Sequence, residues 1–379
     1  MPKGLYVHIP FCTSKCMYCA FYSIPVGTGD DELYRQYVKS VLNEAKMLED
    51  LTANTKFSTI YIGGGTPSKL PAGLFYELVS GLREQFDFEK EIEFTVEANP
   101  ESLSEDFLKA AIDSGVNRLS IGAQYGSDEV LRFLGRTHTV RDVEVSVALA
   151  RKMGIENINL DLIFGLPNET SESWASTLKW AVSLKPTHIS TYSLTVEENT
   201  KLKMLINEGR IDLPSVERIV ELFRIREDIL TSSGYRRYEI SNFAIPGHES
   251  RHNLIYWRWH KYIGLGASAS SFWIVDYELW RWTNVRDVRK YIELTSQNIP
   301  PKDFEENLDD NMARLEKVFL GLRLAEGLDV GDPFIAEAIR ENFPEFVEIE
   351  GTKIKLTFKG MLVADHLAID IADFLENPD

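Results

Sequence analysis

Short β-branched runs alternate with longer amphipathic runs through the first two thirds of this chain. That alternation restricts the fold more than any other feature. Leu5–Pro10 reads as a strand, and residues 31–51 follow as a helix with Leu33, Tyr34, Tyr37, Val38, Val41, Leu42, Ala45 and Leu48 at helical spacing. Further strands are expected at Phe57–Ile62, Glu91–Val96, Asn117–Ile121, Asn157–Phe164 and Thr187–Leu194. Helices are expected near 71–86, 104–114, 140–154 and 171–184. Six β–α units in series imply an α/β fold with a parallel sheet and helical crossovers. Polar or glycine residues recur at the strand ends: Gly63–Thr66, Glu97, Gln124, Asp161 and Ser193. In a barrel such ends converge on one mouth, whereas an open sheet gathers its ligand residues at one switch point. A partial (β/α)6 barrel is therefore expected.

Beyond residue 215 the pattern changes. A helix near 215–233 leads into an aromatic-rich segment that includes residues 250–273. Within it, residues 264–272 (GLGASASSF) read as a turn over the barrel mouth. Residues 301–379 show helices near 309–324 and 332–342, a hairpin turning at Gly351, and a helix from about Leu362. Together these resemble a small α+β winged helix. That unit has 19 Asp and Glu against 8 Lys and Arg, a net of −11, which argues against duplex binding. Three regions are expected: a barrel over 1–235, an aromatic connecting region over 236–300, and a winged-helix-like domain over 301–379.

The chain's only three cysteines, Cys12, Cys16 and Cys19, fall within eight positions. They follow the first strand directly, so the spacing places them on a loop at the barrel mouth. No apolar run is long enough to span a bilayer, and no signal peptide is recognisable, so a cytoplasmic protein is expected. In a reducing compartment, clustered thiols more often bind metal or do chemistry than pair. The net charge of −17 disfavours general binding to nucleic acid or anionic membrane. Three thiolates are one short of an ordinary iron–sulfur cluster and of an all-cysteine zinc site. His8 is a conceivable fourth ligand but lies inside the predicted strand. From spacing alone, a zinc loop and an iron–sulfur loop both stand.

Cys12-x3-Cys16-x2-Cys19 after the first strand resembles the signature of the radical S-adenosylmethionine (SAM) superfamily. The resemblance implies that the three cysteines hold three irons of a [4Fe–4S] cluster. The fourth iron is then left open to the amino and carboxylate groups of SAM. It also implies one-electron cleavage of SAM to methionine and a 5′-deoxyadenosyl radical. Tyr18 matches the aromatic usual between the last two cysteines. The glycine run with Gly64, Gly65 and Thr66 follows the second strand and lacks the Gly-Lys-Ser/Thr of a P-loop. By resemblance it meets the methionine amino group of SAM. Tyr6, Glu97, Gln124, Arg136 and Asp161 are similar to SAM-pocket residues of the coproporphyrinogen-oxidase-like branch. A carboxylate can hold ribose hydroxyls, and an arginine can hold a carboxylate bidentately.

Within that branch, oxygen-independent coproporphyrinogen III oxidases, which decarboxylate porphyrinogen propionates, are the alternative to heme chaperones. The oxidases have a further cysteine two residues past the triplet, where this chain has Phe21. They also have an extension ahead of the first strand, for which this sequence shows no room. His252–Trp257 (HNLIYW) resembles the chaperones' heme-associated motif. Imidazole is a common heme ligand and aromatic faces stack on porphyrins. His252 is thus the expected heme ligand, with His248 and His260 as rivals. The resemblance implies a radical-SAM-fold heme chaperone with a [4Fe–4S] cluster, SAM and heme as cofactors. Its implied partners are heme-accepting proteins and an electron donor such as flavodoxin or ferredoxin.

Overall fold

A computed structural model describes residues 1–27 and 30–376. Six parallel strands run in sequence order across the middle of one twelve-stranded sheet. They are β1 (Gly4–Ile9), β2 (Lys56–Gly64), β3 (Asp87–Ala98), β4 (Arg118–Gln124), β5 (Asn157–Phe164) and β6 (His188–Ser193). This is the partial (β/α)6 barrel that the alternation predicts. The crossover helices start where the sequence supplies caps. Thr139 and Thr170 close reciprocal capping boxes at the helices Val140–Lys152 and Ser171–Ser183.

The sheet does not end at β1. Tyr262–Leu265 pairs parallel with it, Gly4 opposite Tyr262 and Val7 opposite Leu265. Ser270–Val275, Glu278–Asn284 and Lys302–Asn307 then continue antiparallel. The segment read as a turn over the mouth is thus two sheet strands joined through 266–269. A Cβ at Gly264 would lie on the carbonyl of Ser270, so glycine here serves close strand packing. The main sheet likewise runs past the boundary expected at residue 300, as far as Asn307. On the other side, Asn242–Ala244 and Arg236–Arg237 close β6 antiparallel. Residues beyond 310 gather a second, smaller core around Val318, Ile339, Ile354 and Ile371. There the hairpin turns at Gly351, whose φ is +64°.

One buried network fixes the exit of β1. On the helix Asp31–Met47, the Tyr37 hydroxyl donates to the His8 carbonyl (2.8 Å) and accepts from the Ala267 amide (2.9 Å). Two helical turns further on, Glu44 accepts from Tyr291 Oη (2.5 Å), the Gly266 amide (2.8 Å) and Asn284 Nδ2 (2.6 Å). Burial raises the Glu44 carboxyl to about 7, against the pull of these three donors. A carboxyl whose pKa rises on folding stabilises most below its unfolded value, and loses that contribution as pH climbs to the folded one. Relative to Glu44→Gln, the wild type should therefore lose stability between about pH 4.5 and 7, at about 1.4 kcal/mol per unit of displacement. Denaturant unfolding of both proteins at pH 5 and pH 8 measures this. A difference that stays constant or grows with pH would refute it.

Candidate functional site

The cysteine loop leaves β1 directly above the end of β2. Ile9 lies opposite Gly64, and the Gly65 amide donates to the Ile9 carbonyl at 2.8 Å. A Cβ on Gly65 would come within 2.8–2.9 Å of the Ile9 and Phe11 carbonyl oxygens, so the two backbones touch only because glycine is there. Phe11 is buried edge-on between Tyr34 (4.8 Å) and Tyr37 (5.1 Å). Phe11–Cys12 then pairs with Ile24–Pro25 and closes the loop at its base. The loop is also held from outside, with the Met17 amide on the Leu134 carbonyl (3.2 Å) and its carbonyl on the Leu202 amide (2.9 Å).

Inside this frame lies a cavity of about 400 Å³. Cys12, Cys16 and Cys19 line one side, all half-buried and unpaired by disulfide. Tyr18, Gly64, Gly65, Thr66, Glu97, Gln124, Arg136 and Asp161 line the rest, most of them drawn from the ends of four successive strands. Gln124 reaches inward through a register irregularity after Ile121 and holds φ at +62°. That is a conformation costing roughly 1–2 kcal/mol in a residue with a side chain. Tyr6 differs from expectation. It does not line the cavity, because Tyr61 stacks on it at 6.2 Å and its hydroxyl bonds His8 Nδ1 at 2.9 Å.

The polar walls are preorganised. Glu97 accepts from Tyr61 Oη (2.7 Å) and the Gly64 amide (3.0 Å). Burial, only partly offset by the Tyr61 bond and reinforced by Asp161, raises its carboxyl to about 7. Asp161 accepts from Ser120 Oγ (2.8 Å) and Asn159 Nδ2 (2.9 Å), and its carboxyl too is raised by burial. Burial pushes the Cys19 thiol up.

Two thiols are joined by one hydrogen-bond chain. Thr66 Oγ1 donates to Cys12 Sγ (3.5 Å), and Asn99 Nδ2 donates to Thr66 Oγ1 (3.0 Å). Arg136 Nη2 donates to Asn99 Oδ1 (2.5 Å), and Nη1 to Cys16 Sγ (3.4 Å). Behind Arg136, His138 Nδ1 meets Glu101 Oε2 at 3.2 Å. Burial opposes charge on Glu101, but the His138 bond and the Arg136 guanidinium outweigh it and hold the carboxyl low. Asn99, Glu101, His138 and Tyr61 carry no motif of their own, and sequence reasoning missed them. Asn99 and His138 each lie two residues from an expected site residue, Glu97 and Arg136, the spacing at which an extended chain returns to the same face.

His252 departs most from its expected role. It is buried at 1% exposure in the helix Arg251–Trp257. Nδ1 bonds Thr59 Oγ1 (2.7 Å) and Nε2 bonds Tyr256 Oη (2.8 Å), so both ring nitrogens are taken. Burial drives its pKa to about 3 and keeps it neutral. In this conformation it braces the helix on β2 and offers no nitrogen to a metal. His8 is likewise engaged through both nitrogens, the second at the Tyr22 carbonyl (2.9 Å), and cannot complete a zinc site.

The donor set fits a [4Fe–4S] cluster with SAM. Three thiols share one cavity, yet among the described residues no three His, Cys, Asp or Glu side chains converge on a single-ion position. Arg136 Nε is buried without a partner at the same wall, beside glycines that leave the backbone open. No helix among the described residues is long and apolar enough to cross a membrane.

Comparison with known proteins agrees with this geometry. The sequence pattern of the Radical SAM superfamily matches residues 6–181. The chain is 37% identical to the heme chaperone HemW of Lactococcus lactis, over 98% of this chain and 94% of that one. It is 38% identical to HemW of Bacillus subtilis, over 86% and 84%, and 36% identical to HemW of Escherichia coli, over 77% and 76%. Among solved structures, the radical SAM enzyme HemN of Escherichia coli, a coproporphyrinogen III oxidase, superposes with a TM-score of 0.82 at 25% identity. That match covers 98% of this chain and 90% of HemN. The chain belongs to the radical SAM superfamily and, within it, to the family of the HemW heme chaperones.

Proposed function

We propose that this protein binds heme and delivers it to heme-accepting proteins in the cytoplasm, while carrying a [4Fe–4S] cluster and SAM. The observation that carries the reading is its end-to-end likeness to HemW, 37% identity over 98% of the chain. A second observation separates it from the oxidase alternative. Phe21, where the oxidases would place another cysteine, is 71% exposed at the rim of the cluster cavity.

Cys12, Cys16 and Cys19 hold the cluster and leave one corner to SAM. Bound there, the cluster supplies one-electron chemistry at the SAM sulfonium, with reducing equivalents from a donor such as flavodoxin or ferredoxin. The chain's own residues position the nucleoside. Gly64 and Gly65 present backbone to the methionine amino end. Arg136 offers a guanidinium to its carboxylate, and Glu97 and Asp161 offer acceptors to ribose hydroxyls. Gln124 stands between them at the β4 end.

The test is one anaerobic incubation with dithionite, SAM and coproporphyrinogen III, beside a hemin titration and transfer to an apo-hemoprotein. A Soret band, heme transfer and no decarboxylated product are expected. Decarboxylation without heme affinity would install the oxidase reading instead.

A further inference from the structure

Two of the three cavity thiols take hydrogen bonds from residues that meet at one amide. Asn99 Nδ2 donates to Thr66 Oγ1 at 3.0 Å, and Asn99 Oδ1 accepts from Arg136 Nη2 at 2.5 Å. Thr66 is buried, and its hydroxyl carries a single hydrogen. Oγ1 already accepts from Asn99, so that hydrogen is left for Cys12 Sγ, 3.5 Å away. The guanidinium is a rigid plane. Holding Nη2 on Asn99 therefore also fixes the direction of Nη1, which donates to Cys16 Sγ at 3.4 Å. One side chain thus aims a donor at each of two sulfurs.

The fold holds that amide from both sides. The Asn99 backbone N–H donates to Ser68 Oγ (3.3 Å), and its carbonyl accepts from the Ser102 amide (3.0 Å) and hydroxyl (3.2 Å). The Ser68 and Ser102 hydroxyls bond each other at 2.6 Å. On β4, Gly122 leaves the space that the amide fills. A Cβ there would lie 2.8 Å from Asn99 Oδ1 and from Gln124 Nε2, and 3.4 Å from Arg136 Nη2. Gly122 is not among the glycines with positive φ, so this position needs glycine for room and not for conformation.

We propose that Asn99 is a positioning residue for the [4Fe–4S] cluster: by aiming Thr66 at Cys12 and Arg136 at Cys16, it raises the cluster's reduction potential. Reduction adds one electron, and part of the added negative charge falls on the ligand sulfurs. A donor directed at such a sulfur stabilises the reduced state more than the oxidised one, so each lost bond lowers the potential. Asn99 bonds neither sulfur itself and acts only through its two neighbours. The inference rests on the reading of Cys12, Cys16 and Cys19 as cluster ligands and is independent of heme.

A redox titration of the anaerobically reconstituted full chain tests this, with dithionite as the electron source and SAM left out. The paramagnetic resonance signal of the reduced cluster is followed in wild type, Asn99→Leu, Gly122→Ala, Thr66→Val and Thr66→Ser. Asn99→Leu keeps the branched shape and removes both polar atoms. It should make reduction about tenfold less favourable, a downward shift of about 59 mV for a one-electron couple. Gly122→Ala keeps the amide but displaces it, and should shift the potential the same way. Thr66→Val loses only the Cys12 bond and should cost reduction about threefold, whereas Thr66→Ser keeps the hydroxyl and should stay at the wild-type value. Iron content and urea unfolding, read on every sample, should match the wild type. A potential within about twofold of wild type in whichever of Asn99→Leu and Gly122→Ala holds full iron would overturn the inference and spare the cluster assignment. Absence of a cluster from the wild type would overturn the assignment itself.

Discussion

Cys16→Ser should fold normally yet hold less than about one iron per chain after anaerobic reconstitution, where the wild type holds about four. Cys16 stands on a loop, is half-buried, and contributes nothing to the apolar core, so its loss costs the fold about 1 kcal/mol or less. What it does contribute is one of only three thiols in the cavity. On the proposed assignment one corner goes to SAM, and two thiolates would then be too few to retain the cluster. Among the described residues no other cysteine exists to substitute, and His8 is engaged through both nitrogens. Iron and sulfide analysis together with urea unfolding reads both halves of the claim. Full iron content in a folded Cys16→Ser protein would sink the assignment. The same outcome is expected for Cys12 and Cys19.

Arg136→Met should weaken SAM binding by about 30- to 100-fold. The guanidinium is oriented before any ligand arrives, by Asn99 Oδ1 at 2.5 Å and the Gly122 carbonyl at 3.3 Å. Preorganised donors lose little entropy on binding, and a charge-assisted bond to a carboxylate is worth about 2–3 kcal/mol. Methionine keeps the length of the stem and removes the charge, so packing against the wall survives. Lysine should not rescue, since Arg136 reaches Cys16 and Asn99 through two separate nitrogens, a fork that a single ammonium nitrogen does not reproduce. Calorimetric titration of the reconstituted protein with SAM decides it. Binding within threefold of wild type would remove Arg136 from the SAM site.

The six parallel strands were legible because a buried strand and an amphipathic helix have different periods, and the chain keeps both cleanly from Leu5 to Ser193. Their polar ends were legible too, because a buried polar group is costly unless it is partnered. A carboxylate such as Glu97 or Asp161 at the close of an apolar strand therefore marks a place where the strand meets a ligand or other polar groups. The strands from Tyr262 to Asn307 were not legible. Their local composition, rich in Gly, Ser and Trp, reads as loop, and only the open edge of β1 turns Tyr262–Leu265 into a strand. Tertiary context overrides β-propensity in this way. The cysteines and the glycine run announce themselves, but Asn99 looks like a turn residue until Arg136 and Thr66 arrive from other strands. His252 shows the same limit from the other side. Its motif is visible, yet the partner that occupies its Nδ1, Thr59, lies 193 positions earlier in the chain.

The hydrogen-bond chain through Asn99 also bears on the order in which this protein is built. Asn99 gives its amide hydrogens to Thr66 and its oxygen to Arg136, so reversing the amide would set donor against donor at the guanidinium. Thr66 follows β2, Asn99 follows β3, and Arg136 follows β4. Their three side chains can interlock only after those strands have paired. The seats of Cys12 and Cys16 thus arise together, as one product of sheet closure. Cofactor loading then has a natural checkpoint: a nascent chain lacking β4 exposes thiols without a site, and cluster insertion becomes a late event that reports a completed barrel.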